Sequence, residues 1–109
     1  MVSFDDITKL FAIDMEGKFC IEIEFRVAGL SDYQNCWMGK MPDRVDRNKE
    51  MYWFGLAQDG SKAYDYNNYI DFVNAPVFDG RSLKAVWDSV ELLSVDGCEP
   101  EWRIKNLLD

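Results

Sequence analysis

Phe19-Cys20-Ile21-Glu22-Ile23-Glu24-Phe25-Arg26-Val27 alternates strictly between apolar and polar residues, Cys20 apart. In an extended chain, successive side chains point to opposite faces. Phe19, Ile21, Ile23, Phe25 and Val27 therefore share one side, and Cys20, Glu22, Glu24 and Arg26 share the other. A strand with one apolar and one charged side predicts an antiparallel sheet with one dry face and one wet face. Whatever covers the dry face must come from elsewhere in the chain.

Upstream, Phe4, Ile7, Leu10 and Phe11 recur at helical spacing behind Ser3, a residue that can accept hydrogen bonds from a first helical turn. Asp5 and Asp6 suit the positive end of that helix. The spacing predicts a short amphipathic helix over 4–12, with a break at Gly17. Downstream, 29–32 reads as a turn, and 34–41 and 50–58 read as strands joined by a connector at 42–49. Asp59-Gly60 predicts a tight hairpin turn into a short strand at 62–66. Asn67 and Asn68 end that strand and cap a helical turn over 69–73.

Pro76 and Asp79-Gly80 mark a loop before a second amphipathic helix over 82–89. The apolar stripe of this helix is Leu83, Val86, Trp87 and Val90. A last strand over 91–95 closes at Asp96-Gly97. Pro100 fits the first position of a terminal helix whose apolar face holds Ile104, Leu107 and Leu108. The expected fold is α+β: one domain over residues 1–109, with a single antiparallel sheet of four or five strands and short helices packed mainly on one face. Its expected core is Phe19, Ile21, Ile23, Phe25, Leu83, Val86 and Trp87.

Composition narrows the function. The chain carries 20 acidic and 12 basic residues, a net charge of −8, and no histidine. Histidine is the side chain best matched to proton transfer near neutral pH and the commonest metal ligand. No cofactor, no metal and no catalytic group is expected. Cys20, Cys36 and Cys98 are odd in number and widely spaced, as in reduced thiols of a cytoplasmic protein. The acidic start at Asp5 and Asp6 does not read as a secretion signal. No apolar run approaches the roughly 18–20 residues that a bilayer span needs. A cytoplasmic location without membrane contact is expected.

Motifs of catalysis and ligand binding fail on inspection. Gly55 to Lys62 looks like a phosphate-binding loop, but Ser61 and Lys62 stand in reversed order and the context is strand–turn–strand. Asp65, Asn67 and Asp71 suggest a calcium loop, but Tyr69 and Ile70 fall where the fifth ligand and the glycine belong. Glu22 and Glu24 stand about 7 Å apart along one strand, a spacing that could serve acid–base work, yet they lie on the wet side. Cys98, beside Glu99 and Glu101, lacks an activating base. Direct nucleic-acid binding is opposed by the net negative charge. The stretch 40–49, with four bases and two acids, is the one net-positive part of the chain.

Sixteen aromatic residues remain. In 51–57, Tyr52, Phe54 and Leu56 point one way, and Met51, Trp53, Gly55 and Ala57 the other. If the sheet has a wet face, one of these sides has no core to join. The expected partner-binding face is formed by Trp37, Trp53, Tyr64 and Tyr66 with Glu22 and Glu24, and Trp102 stands off the apolar stripe of its helix. Trp and Tyr are common anchors of interfaces. These features favour a small acidic, non-catalytic binding module, an inhibitor or immunity-type protein that neutralises a basic protein partner such as a nuclease. A carbohydrate-binding module, with Asp65, Asn67 and Asn68 bonding hydroxyls, and a small carboxylate enzyme are the alternatives. The stretch from Phe78 to Gly97 resembles small bacterial proteins, a likeness that implies no activity.

Overall fold

A computed structural model describes residues 2–13 and 20–109. The expectations for Phe19 and Gly17 lie outside the described residues. The chain runs α1 (Phe4–Phe11), β1 (Ile21–Val27), β2 (Cys36–Pro42), β3 (Glu50–Gly55), β4 (Ala63–Tyr66), α2 (Tyr69–Asn74), α3 (Leu83–Val86), a 3-10 turn (Trp87–Ser89), β5 (Val90–Val95) and α4 (Pro100–Leu108). The five strands form one sheet in the order β4-β3-β2-β1-β5, antiparallel throughout. The α+β class and the single antiparallel sheet expected from the sequence are present.

Local chemistry starts and stops these elements. The Ser3 hydroxyl accepts the N–H of Asp6 at 3.0 Å, and the Asp6 carboxylate accepts the N–H of Ser3 in return. This reciprocal cap satisfies donors that the first turn of α1 cannot pair internally. Asn68 caps α2 by accepting from the N–H of Asp71 at 2.8 Å, and Ser82 caps α3 by accepting from Ala85. The expected helix over 82–89 tightens to a 3-10 turn at Trp87, so Val90 leaves the helical stripe and opens β5.

Two Asp-Gly pairs make tight turns, and a third does not. Asp79 and Gly80 both have positive φ, as do Asp96 and Gly97. Each pair closes a two-residue turn, Phe78 bridging Arg81 and Val95 bridging Cys98. At Asp59-Gly60 only the glycine has positive φ. β3 and β4 are joined instead by a loop over 56–62, in which the Leu56 N–H donates to the Lys62 carbonyl at 2.9 Å. Leu56 continues the inward alternation of Tyr52 and Phe54 at 1% exposure, just past the last paired residue of β3, Gly55.

Each helix among the described residues buries one apolar side under the same face of the sheet. Ile7, Leu10 and Phe11 of α1, Phe72 and Val73 of α2, Leu83 and Val86 of α3, and Ile104 of α4 join the inward strand residues in one cluster. Ile21, Ile23, Phe25 and Val27 are fully buried, and Trp87 is nearly so. Most of the aromatic residues are spent here. Phe54 stacks on Phe72 at 4.2 Å and meets Phe78 edge-on at 5.5 Å. Phe11, Tyr52 and Tyr69 continue the ring network on one side, Tyr33 and Phe25 on the other.

One charge is buried with them. Lys40 is 1% exposed and lies on the inward side of β2. Its ammonium donates to the carbonyls of Phe11 at 2.7 Å and Ile13 at 2.6 Å and pairs with Glu50 at 3.0 Å. It thereby satisfies carbonyls that the C-terminal end of α1 leaves open. Lys40, counted with the basic stretch 40–49 in the sequence, is thus buried in β2 and apart from the exposed Arg44, Arg47 and Lys49. Burial and the neighbouring Glu50 charge push the Tyr52 hydroxyl up to about 12.

Phe25 and Phe54 have no route to solvent, so Phe25→Ala and Phe54→Ala are each expected to cost about 3–5 kcal/mol in urea unfolding. A loss under about 1 kcal/mol for both would place the core elsewhere.

Candidate functional site

No helix among the described residues packs on the other face of the sheet, and the strand register decides what stands there. Trp37 lies directly opposite Gly55, and Gly39 lies directly opposite Trp53. The two strands carry matching triplets, Trp37-Met38-Gly39 and Trp53-Phe54-Gly55. Antiparallel pairing sets each tryptophan against the other strand's glycine, with the two indoles on one diagonal. Diagonal neighbours on a sheet face stand about 7–8 Å apart, within reach of large side chains.

The two glycines do different things. A Cβ at Gly39 would run into the carbonyl oxygen of Ile21 and lie 2.7 Å from Cζ2 of Trp53. The indole of Trp53 therefore lies down over the space that the missing side chain leaves. A Cβ at Gly55 would sit 3.9 Å from Cζ3 of Trp53 and 4.0 Å from Cβ of Trp37, ordinary contact distances. Gly55 leaves a notch between the two tryptophans.

Acidic groups frame them. On β1, Glu24 lies opposite Trp37 and Glu22 opposite Gly39, and on β4 Asp65 lies opposite Trp53. Arg26 on the same face is held by Glu91 of β5, its Nε 2.7 Å from the carboxylate. Among the described residues no cation pairs with Glu22, Glu24 or Asp65. Trp37 is 39% exposed and Trp53 is half-buried. Around them lies an open depression of about 510 Å³, lined by Glu22, Asn35, Trp37, Trp53, Ala57 and Gln58 with Gly55 in its floor.

The structure thus brings together Trp37, Trp53, Glu22 and Glu24 and separates the other expected site residues from them. Tyr64 pairs with Phe54 and Tyr66 with Tyr52, which puts both tyrosines on the core side of the sheet. Tyr66 packs edge-on against Phe54 and Phe72 at 6.2 Å, and burial raises its hydroxyl pKa. Tyr64, at the sheet edge, keeps 37% exposure on that same side. The expectation that these tyrosines extend the tryptophan face fails because the period of two carries β4 into register with inward Tyr52 and Phe54. Trp102 is 58% exposed on α4, in the helical layer. Gly55 was expected on the side of Trp53, and Asp65 only in the carbohydrate alternative; Asn35, Gln58 and Gly39 were not among the expected members of this face. The repeated Trp-x-Gly in neighbouring strands was the signal available for the glycines.

Other chemistry is sparse among the described residues. No group of three or more His, Cys, Asp or Glu is placed to hold a metal ion. No helix is long and apolar enough to cross a membrane. The carboxyls of Asp43 and Asp59 are lowered, the first by backbone N–H groups of Asp46 and Val45, the second by the hydroxyl and N–H of Ser61. Both sit in exposed turns, unlike the enclosed, raised carboxyl that acts as a general acid. Burial pushes the Cys36 thiol up to about 11. In the folded protein, iodoacetamide at pH 8 is expected to label exposed Cys20 well before Cys36, read by peptide mass spectrometry, with Cys36 labelled at comparable speed only in denaturant.

The two glycines give a second expectation. Gly39→Ala should lower stability by about 3 kcal/mol through overpacking against Trp53 and the β1 backbone. Gly55→Ala should be neutral or stabilise by about 0.5–1 kcal/mol, since an alanine fits there and a strand glycine is entropically unfavourable. Urea midpoints of the two variants check the pair; equal losses would show that the indole of Trp53 does not lie over Gly39. Comparison of the chain with protein-family models, with curated proteins and with solved structures finds no match in any of the three.

Proposed function

We propose that the protein is a non-catalytic binding module that engages a basic protein partner through the bare face of its sheet, as inhibitor and immunity-type proteins engage a basic enzyme such as a nuclease. The observation that carries this is the diagonal pair Trp37 and Trp53, stationed among Glu22, Glu24 and Asp65 with no helix over them among the described residues. The net charge of −8 speeds encounter with a positive surface. The indoles, once covered, slow departure.

A second reading has its own support. Asn35 and Gln58 line the same depression as Trp37 and Trp53, and amides beside an aromatic floor suit the hydroxyls and ring faces of a saccharide. Asn68 does not join them, because its side chain is committed to capping α2.

The test captures partners of the intact protein at low salt from the organism's own extract, then measures binding of the purified partner by surface plasmon resonance. A basic partner is expected, with kon falling steeply as salt rises. Glu22→Gln with Glu24→Gln should lower kon, and Trp37→Ala should raise koff about tenfold or more, roughly 1.4 kcal/mol. A partner whose koff ignores Trp37→Ala, or an acidic partner, would overturn the proposal.

A further inference from the structure

The notch over Gly55 has more definition than a flat aromatic patch. It is bordered by the Cζ3 edge of the Trp53 indole and by the Cβ of Trp37, and flanked on β4 only by the small Ala63. Glu22 lines the depression around it, and Glu24 stands beside Trp37. Asn35, Ala57 and Gln58 also line a second depression of about 350 Å³, which reaches Ser31, Asp32 and Asp59 at the end of the sheet. The first depression is aromatic beside Glu22, and its neighbour is polar and acidic. Lys62, the base near that end, is occupied over the ring of Tyr33 at 4.6 Å.

We infer that this notch seats the guanidinium of an arginine side chain carried by the basic partner, its plane against the indoles and its N–H groups directed to Glu22, the carboxylate that lines the same depression. The inference rests on assigning the bare face to a basic partner and adds which side chain it reads. A guanidinium is flat and weakly hydrated, stacks on aromatic faces, and keeps its edge N–H groups free for carboxylates while stacked. An ammonium is a compact, strongly hydrated point charge with no flat face to offer. A second copy of this chain is disfavoured as the occupant, since it would bring the same carboxylates and net charge of −8 to the interface.

The test uses three acetylated, amidated tripeptides, Gly-X-Gly with X arginine, lysine or citrulline, titrated at low salt into the whole protein. Indole N–H signals of Trp37 and Trp53, assigned by Trp→Phe variants, report binding. The arginine peptide should shift both signals and bind at least about fivefold more tightly than the lysine peptide, and the neutral citrulline peptide should shift neither. Gly55→Ala, with folding checked by its thermal melt, should weaken the arginine peptide about fivefold and leave the lysine peptide little changed. Equal binding of arginine and lysine peptides, or indifference to Gly55→Ala, overturns the arginine seat and leaves the basic-partner assignment intact. Indoles that stay silent to all three peptides at millimolar concentration, or that respond to an oligosaccharide instead, overturn both.

Discussion

The pairing of β2 with β3 sets both faces of the sheet at once. Met38 opposite Phe54 and Lys40 opposite Tyr52 belong to the buried side; Trp37 opposite Gly55 and Gly39 opposite Trp53 belong to the bare side. A slip of one residue would turn one strand's side chains to the wrong face. Trp37 would enter a core already filled with rings, Lys40 would lose the helix end it holds, and Trp53 would meet a side chain where it now meets none. The two sides therefore reinforce one register. Gly39 adds to it from the bare side, since only a residue without a Cβ tolerates the Trp53 indole and the β1 backbone at that point.

Period-two alternation was legible from Ile21 to Val27 because every inward position is apolar and every outward one is charged. The caps at Ser3 and Asn68 were legible because these side chains act within a few residues of themselves. What could not be read was the pairing of distant strands. Whether Tyr64 and Tyr66 face the core depends on how β4 registers against β3, and β3 carries aromatics on both of its sides. The loop after Gly55 hid the answer, since Asp59-Gly60 carries the composition of a tight turn while the chain makes a longer one over 56–62. The tryptophans and glutamates of the site were legible as residues; the glycines were not, because their role exists only across strands.

Lys40 shows the same limit in electrostatic form. In the sequence it stands at the edge of a basic stretch, next to a connector whose Arg44, Arg47 and Lys49 are all exposed. Alternation puts it inward, where an unpaired ammonium would be strongly unfavourable. Two carbonyls of the α1 terminus and the Glu50 carboxylate make the burial tolerable. The helix end and the charge solve each other's problem, and α1 is pinned to the sheet as a result. That pin helps hold the helical layer on one side and so helps leave the other side to the tryptophans.

An exposed aromatic sheet face carries a hazard of self-association, and carboxylates beside it keep such faces apart. Glu22, Glu24 and Asp65 would be explained by that need alone. Trp53 over Gly39 would be explained as packing, for the indole covers backbone that a glycine leaves bare. Gly55 is explained by neither. An alanine there would meet its neighbours at ordinary contact distance, and no left-handed backbone angle calls for glycine. Glycine inside a strand is unfavourable by about 0.5–1 kcal/mol relative to alanine, so packing and solubility both favour filling the position. The space between Trp37 and Trp53 is instead left open, on the exposed face, in a depression lined by Glu22, a carboxylate without a partner cation among the described residues. Openness at that one point is the feature that a stability account leaves over, and the arginine seat proposed above would account for it.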